Sequence, residues 1–203
     1  MRIVVDAMGS DDFPAPDVTG AVLAAKEYGE TIILVGDETR IKGELARQNT
    51  TGLKLDVVHA HEAVSMTDKP TVAAKDKPES SMHVGMRLVR DGKADAFVSM
   101  GNTGAILTIA TLYTLRRIEG VKRPAISAVF SLGSDDKLMI LDAGANTEGK
   151  PEWLAQFATM GSLYASTRWA SRRRAWACCR MARKKARARR SPRKPQRYCE
   201  PCR

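Results

Sequence analysis

Ser99-Met100-Gly101-Asn102-Thr103-Gly104-Ala105 is the stretch on which the reading of the fold turns. It follows Ala94-Asp95-Ala96-Phe97-Val98, a short apolar run that reads as a buried strand, and precedes Ile106–Leu115, which reads as a largely buried helix. A strand that feeds a helix through Gly-Asn-Thr-Gly presents backbone N–H groups at the positive end of the helix dipole, a place to hold an anion such as phosphate. The two glycines permit tight geometry and close approach of a ligand. Any α/β protein needs such turns, so the stretch gains meaning only from its neighbours.

Working outward, the chain alternates. Arg2–Asp6 is a β-branched run that reads as a central parallel strand ending in Asp-Ala-Met-Gly. Pro14 and Pro16 open a helix to about Tyr28, which Gly29 ends. Thr31–Gly36 is a second strand, Asp37 caps the next helix, and Leu53–Val58 is a third strand. His59 to Pro70 reads as a polar connection and Thr71 to Pro78 as a charged, exposed segment. Ser80-Ser81 is expected to cap a helix through Asp91. Beyond the opening stretch, Ile126–Phe130 and Lys137–Asp142 flank turn chemistry at Gly133-Ser134-Asp135-Asp136 and read as an antiparallel pair. Pro151 opens a last helix to about Ala165. Strands alternating with helices predict a doubly wound, mostly parallel, Rossmann-like α/β sheet, with ligands at the carboxyl ends of the strands.

Composition divides the chain in two. Residues 1–166 carry 18 Lys and Arg against 22 Asp and Glu, whereas 167–203 carry 15 against one acid, Glu200. All four cysteines fall in that second part. The net charge of +10 therefore describes neither part, and a nucleic-acid partner is not expected for the body. No secretory signal and no membrane-spanning stretch is visible, which makes the cytoplasm the default location. His59 and His61, two apart with no clear third ligand, do not suggest a metal site.

Three strands end in similar chemistry: Asp6-Ala7-Met8-Gly9-Ser10-Asp11, Ser99 to Ala105, and Asp142-Ala143-Gly144-Ala145-Asn146. Facing one crevice, they would form a polar, backbone-lined pocket. The competing reading is that Asp6 and Asp142 cap turns and the glycines merely bend the chain. On the pocket reading the catalytic candidates are Asp6, Asn102, Asp142 and Asn146. The candidates for holding phosphate or an acyl group are Gly9, Ser10, Asp11, Ser99, Gly101, Thr103, Gly104 and Gly144. The body lacks cysteine and a Gly-x-Ser-x-Gly elbow, and it carries neither a dinucleotide nor a phosphate-loop signature. A covalent nucleophile thus has little support. Chemistry in which phosphate brings its own nucleophile remains, with the protein orienting it and stabilising developing charge.

These residues resemble the PlsX-type phosphate acyltransferases of bacterial phospholipid synthesis. The matching segments are Met1–Gly9, Leu34–Asp37, Ser80–Met82, Ala94–Ala96 with Ser99–Ala105, Arg123–Ala125, Leu141–Asn146 and Lys150–Gly161, collinear over residues 1 to about 165. The resemblance implies transfer of a fatty acyl group from acyl carrier protein to inorganic phosphate, with no cofactor. It also implies a homodimer, a cytoplasmic enzyme able to sit at the membrane surface, and a downstream membrane acyltransferase that uses the acyl phosphate. The implied fold is related to phosphate acetyltransferases and isopropylmalate dehydrogenases. Gly9-Ser10-Asp11-Asp12 departs from the Gly-Gly-Asp-His usual in that family. Another phosphate-handling enzyme of the phosphate acetyltransferase kind is the alternative, and a basic nucleic-acid-binding module built on the tail is the third reading.

The tail, 167–203, reads as out of frame and disordered. Trp must be TGG and Ala GCN, so reading one base earlier turns each Trp-Ala into Leu, Met or Val followed by Gly. The run Trp169–Ala188 then permits an apolar strand and a Gly-rich loop, where the resembled family continues its sheet. A frameshift near residues 165–168 is the expectation, and it implies a truncated domain of low activity.

Overall fold

The computed structural model describes residues 1–131, 133, 137–146 and 149–169. They form two compact units, divided between Pro124 and Ala125. The expected frameshift position, residues 165–168, lies within the last described helix, and the tail from residue 170 on lies outside the described residues.

In the first unit, β1 (Arg2–Asp6), β2 (Thr31–Gly36), β3 (Leu55–His59) and β4 (Ala96–Val98) make one parallel sheet in the order β3-β2-β1-β4. β1 is central, as its β-branched sequence requires. Helices cover both faces. Alternate residues of β2 point opposite ways. Ile32 and Leu34 pack with Val18, Ala21 and Ala25 of α1 (Ala15–Tyr28) and Ile41 of α2 (Glu38–Leu45). Ile33 and Val35 join Val4 and Ala60 on the other face, with Val84, Leu88 and Val89 of α4 (Ser81–Arg90). This is the doubly wound arrangement the alternation implies.

Local signals account for most boundaries. Gly29 ends α1 at φ +65°, a left-handed conformation that suits glycine. Asp37 caps α2 by accepting the Arg40 N–H at 3.0 Å. Three expectations need correction. The segment taken as exposed after Pro70 is a helix, α3 (Pro70–Asp76): Pro70 sits in its first turn, and Ala73 and Ala74 are buried. Ser80 is the residue before α4, yet its side chain makes no capping bond. The helix after the opening stretch starts earlier, as α5 (Thr103–Thr108), and continues as a π-helix over Ile109–Thr114.

In the second unit, β5 (Ser127–Ser131) and β6 (Lys137–Leu141) pair antiparallel, with Val129 opposite Met139. α6 (Pro151–Arg168) follows and buries Phe157 and Gly161.

Candidate functional site

The site grows from the carboxyl end of β1. Asp6 is the last residue of that strand and only 1% exposed. Its Oδ1 accepts the Met8 N–H at 3.1 Å and its Oδ2 accepts the Ser99 hydroxyl at 2.7 Å. Ser99 Oγ in turn accepts the Gly101 N–H at 3.0 Å. One buried carboxyl thus ties the loop after β1 to the loop after β4, 93 residues away in sequence. Burial pushes the Asp6 carboxyl above its ordinary value, against the hydrogen bonds from Ser99 and Met8, and the nearby Asp17 charge adds to the rise. The Ser81 hydroxyl also favours the charged form, although its Oγ has no partner at hydrogen-bonding geometry.

Glycine is required where these loops meet. A Cβ on Gly9 would lie 2.9 Å from both Asp6 Oδ2 and Ser99 Oγ and 3.0 Å from the Gly101 nitrogen. A Cβ on Gly101 would lie 3.2 Å from the Gly9 backbone and 2.5 Å from Met82 Cε. The two glycines therefore pack backbone to backbone over the carboxyl.

Asn102 ties in a third segment. Its Oδ1 accepts the Ala105 N–H at 3.1 Å, capping α5, and its Nδ2 donates towards the carbonyls of Ser65, Met66 and Asp68 at 3.3, 3.3 and 3.1 Å. The Asn102 carbonyl takes the Ile106 N–H. The amides of Thr103 and Gly104 remain as the first-turn donors of α5, and Thr103 is exposed. Ser10 donates its hydroxyl to Asp17 Oδ2 at 2.6 Å, fixing the loop to α1, while Asp11 is exposed.

The structure thus joins Asp6, Gly9, Ser99 and Gly101 through direct contacts, with Asn102, Thr103 and Gly104 next in the chain. Asp142, Gly144 and Asn146 belong to the second unit. There Asp142 Oδ1 accepts both the Asn146 N–H at 3.1 Å and the Asn146 Nδ2 at 3.0 Å, and Asp142 itself is left-handed at φ +66°.

Sequence reading takes Ser81 as a cap candidate within the Ser80–Met82 match and passes over His83. His83 is buried and donates Nε2–H to the Ala74 carbonyl at 2.8 Å, with the Tyr113 ring edge-on at 5.6 Å. Burial holds its imidazole below the ordinary value. His83 shares the buried face of α4 with Met82 and Met86, and that helical spacing was the available signal. At the end of β3, His59 Nε2 and His61 Nδ1 stand 3.1 Å apart, and His59 Nδ1 accepts the Glu38 N–H. No group of three His, Cys, Asp or Glu side chains suited to a metal comes together among the described residues.

The family described as fatty acid synthesis protein matches residues 1–172. The chain belongs to that family. It is 50% identical over 165 residues to a phosphate acyltransferase of Herpetosiphon aurantiacus, covering 81% of this chain and 44% of the relative. It is 45% identical over 173 residues to one of Koribacter versatilis, covering 85% and 48%. The chain spans about half the length of the curated relatives it matches. Among solved structures, a phosphotransacetylase from Streptococcus pyogenes superposes with a TM-score of 0.61 at 16% identity, over 82% of this chain and 54% of that one. The EutD phosphotransacetylase from Staphylococcus aureus gives 0.57 at 21%, over 82% and 53%. Both likenesses are of fold, and they place this family member among doubly wound α/β proteins.

Proposed function

We propose that this family member contributes the phosphate-side loops of an enzyme that transfers a fatty acyl group from acyl carrier protein to inorganic phosphate. The observation that carries the reading is the 45–50% identity to proteins named phosphate acyltransferase. A phosphate oxygen attacks the thioester carbonyl carbon. The new C–O bond forms as the C–S bond breaks, and the carrier thiolate leaves with the proton that hydrogen phosphate gives up. The products are acyl phosphate and carrier thiol. The protein need not supply a nucleophile, in keeping with a body that has no cysteine.

In this reading the Thr103 and Gly104 amides orient phosphate at the positive end of the helix. Asp6 and Asn102, buried and bonded within the fold, are positioning residues: Asp6 sets the Ser99–Gly101 turn and Asn102 fixes the start of α5. Gly9, Gly101 and Ser99 give that turn its shape, while Ser10 and Asp11 border it. Asp142, Gly144 and Asn146 supply a further loop. Products of this kind feed phospholipid synthesis through a downstream membrane acyltransferase. We place the enzyme in the cytoplasm as a homodimer, with peripheral membrane contact and no cofactor. Among the described residues no helix is long and apolar enough to cross a membrane.

The test uses the gene read in the neighbouring frame beyond residue 165. Purified enzyme is given acyl carrier protein thioester with and without phosphate, and acyl phosphate is trapped with hydroxylamine. Phosphate-dependent hydroxamate is expected. Equal or better use of acyl-coenzyme A would move the assignment to a phosphate acetyltransferase-like activity, and no phosphate dependence would end it.

A further inference from the structure

The far end of the helix that starts at the site carries a surface the reaction has not used. α5 and the π-helix that continues it run for 6 and 6 residues, from Thr103 to Thr114. At about 1.5 Å per residue this is a rod of roughly 18 Å between the phosphate-side loop and its opposite end. There the Leu115 and Arg116 amides both donate to the Ala110 carbonyl, at 2.9 and 3.0 Å, closing the helix. Arg116 takes a left-handed conformation at φ +65°, which is unfavourable for a non-glycine residue.

This end exposes large apolar side chains between cations. Leu112 is 52% exposed, Leu115 50% and Ile118 66%. They stand three residues apart, with Arg116 and Arg117 between them and Glu119 as the nearby acid. Cations suit a helix C-terminus, and that accounts for the arginines. It does not account for three exposed apolar residues in the same few turns. Exposed apolar side chains interleaved in sequence with positive charge fit an acidic partner that covers the apolar groups while its carboxylates meet the arginines.

We propose that the Leu112–Ile118 surface docks acyl carrier protein, the acidic partner that the proposed acyl transfer requires. The inference rests on that reading. The helix explains why the docking surface can be remote: a carrier seated at its C-terminal end must send a flexible thioester arm a distance of the order of the rod to reach the loop at Gly101–Thr103. One helix thereby fixes both the partner and the place of reaction.

The experiment titrates the purified 203-residue chain with a bacterial acyl carrier protein carrying its thiol arm, at low and high salt, and repeats it with Arg116→Glu/Arg117→Glu. The basic tail is identical in both, so any binding it provides cancels. The expected result is binding weakened about tenfold or more by the double reversal. A control reversal at two other exposed lysines, Lys26→Glu/Lys54→Glu, is expected to leave it within about twofold. A second variant, Leu115→Ser/Ile118→Ser, keeps the charge and is also expected to weaken binding. Equal thermal melts confirm that the variants fold. Unchanged binding in the arginine variant, equal loss in the lysine control, or no carrier binding by the parent chain overturns the proposal. So does loss of binding to anionic phospholipid vesicles with carrier binding intact, which would assign the surface to a membrane. Acyl-phosphate formation in the frame-corrected enzyme is read separately. If acyl phosphate forms but carrier binding ignores Arg116 and Arg117, only the docking surface fails. If binding follows the arginines but no acyl phosphate forms, the acyl-transfer reading fails.

Discussion

Asp6 and Asp142 both stand at the end of a β-strand, and both are followed within a few residues by glycine. Asp6 closes a central parallel strand and is buried, and its carboxyl reaches across to Ser99 on another strand. Asp142 follows one strand of an antiparallel pair and is half-buried, and among the described residues its carboxyl accepts from Asn146, four residues on. The same short motif thus organises two distant segments in one unit and a single turn in the other. The difference comes from the number of covered neighbours. A central strand end brings other strand ends beside it, whereas a two-stranded ribbon offers its own turn.

The largest break in this comparison is expected at the glycines. Gly9→Ala forces a Cβ to within 2.9 Å of Asp6 Oδ2 and Ser99 Oγ, with the Gly101 backbone behind them. Overpacking of this kind costs roughly 2–3 kcal/mol. Gly144→Ala meets nothing within 4 Å and carries only the strain of φ +120°, about 1 kcal/mol. Urea midpoints of the two variants measure the difference. Equal losses would show that the Gly9 contact is not a packing constraint.

Asn102 and Asn146 come next. Asn102→Ala removes a helix cap and donors to three carbonyls of the 65–68 turn, for a loss of about 2 kcal/mol. It is also expected to speed hydrogen exchange at the Ala105 amide. Asn146→Ala gives up the side-chain bond to Asp142 within its own turn and is expected to cost about 1 kcal/mol. A smaller loss for Asn102→Ala than for Asn146→Ala would mean that the long-range bonds carry no net stability.

The sheet was legible because its signals are local. The unbroken apolar run Ile32–Val35, the Asp37 cap and the Gly29 stop can each be read within a few residues, and each is where the sequence puts it. The antiparallel pair was legible from its turn chemistry. α3 was not, because Lys69, Lys75, Asp76 and Lys77 mask the buried pair Ala73-Ala74. Of the site, the sequence named the loops but not their bonds. Asn102 finds its carbonyl partners 34 to 37 residues away, and no spacing rule links them. Ser81 reads as a cap candidate and His83 is passed over, and only the packing of α4 on the sheet makes them buried polar groups.

The smallest expected effect is a pH dependence, and it tests burial itself. Because burial raises the folded-state value of Asp6 above the ordinary 3.8, the folded chain favours the neutral carboxyl. Its contribution to stability is complete below pH 3.8 and is lost as pH rises through the folded-state value. Asp6→Asn removes the titration and keeps an oxygen to accept from Ser99 or Met8. The parent chain is therefore expected to lose ground to Asp6→Asn as pH climbs above about 4, by at most about 1.4 kcal/mol per pH unit, and then to level off. Chemical denaturation of both proteins from pH 4 upward gives the curve. Ser99→Ala carries the fall to higher pH, since the hydroxyl donates to the charged form and its loss leaves burial less opposed. If the parent and Asp6→Asn follow one pH profile, burial at the end of the central strand does not make that carboxyl costly to charge; if they part as pH rises, the cost of charging it comes from its buried place in the sheet.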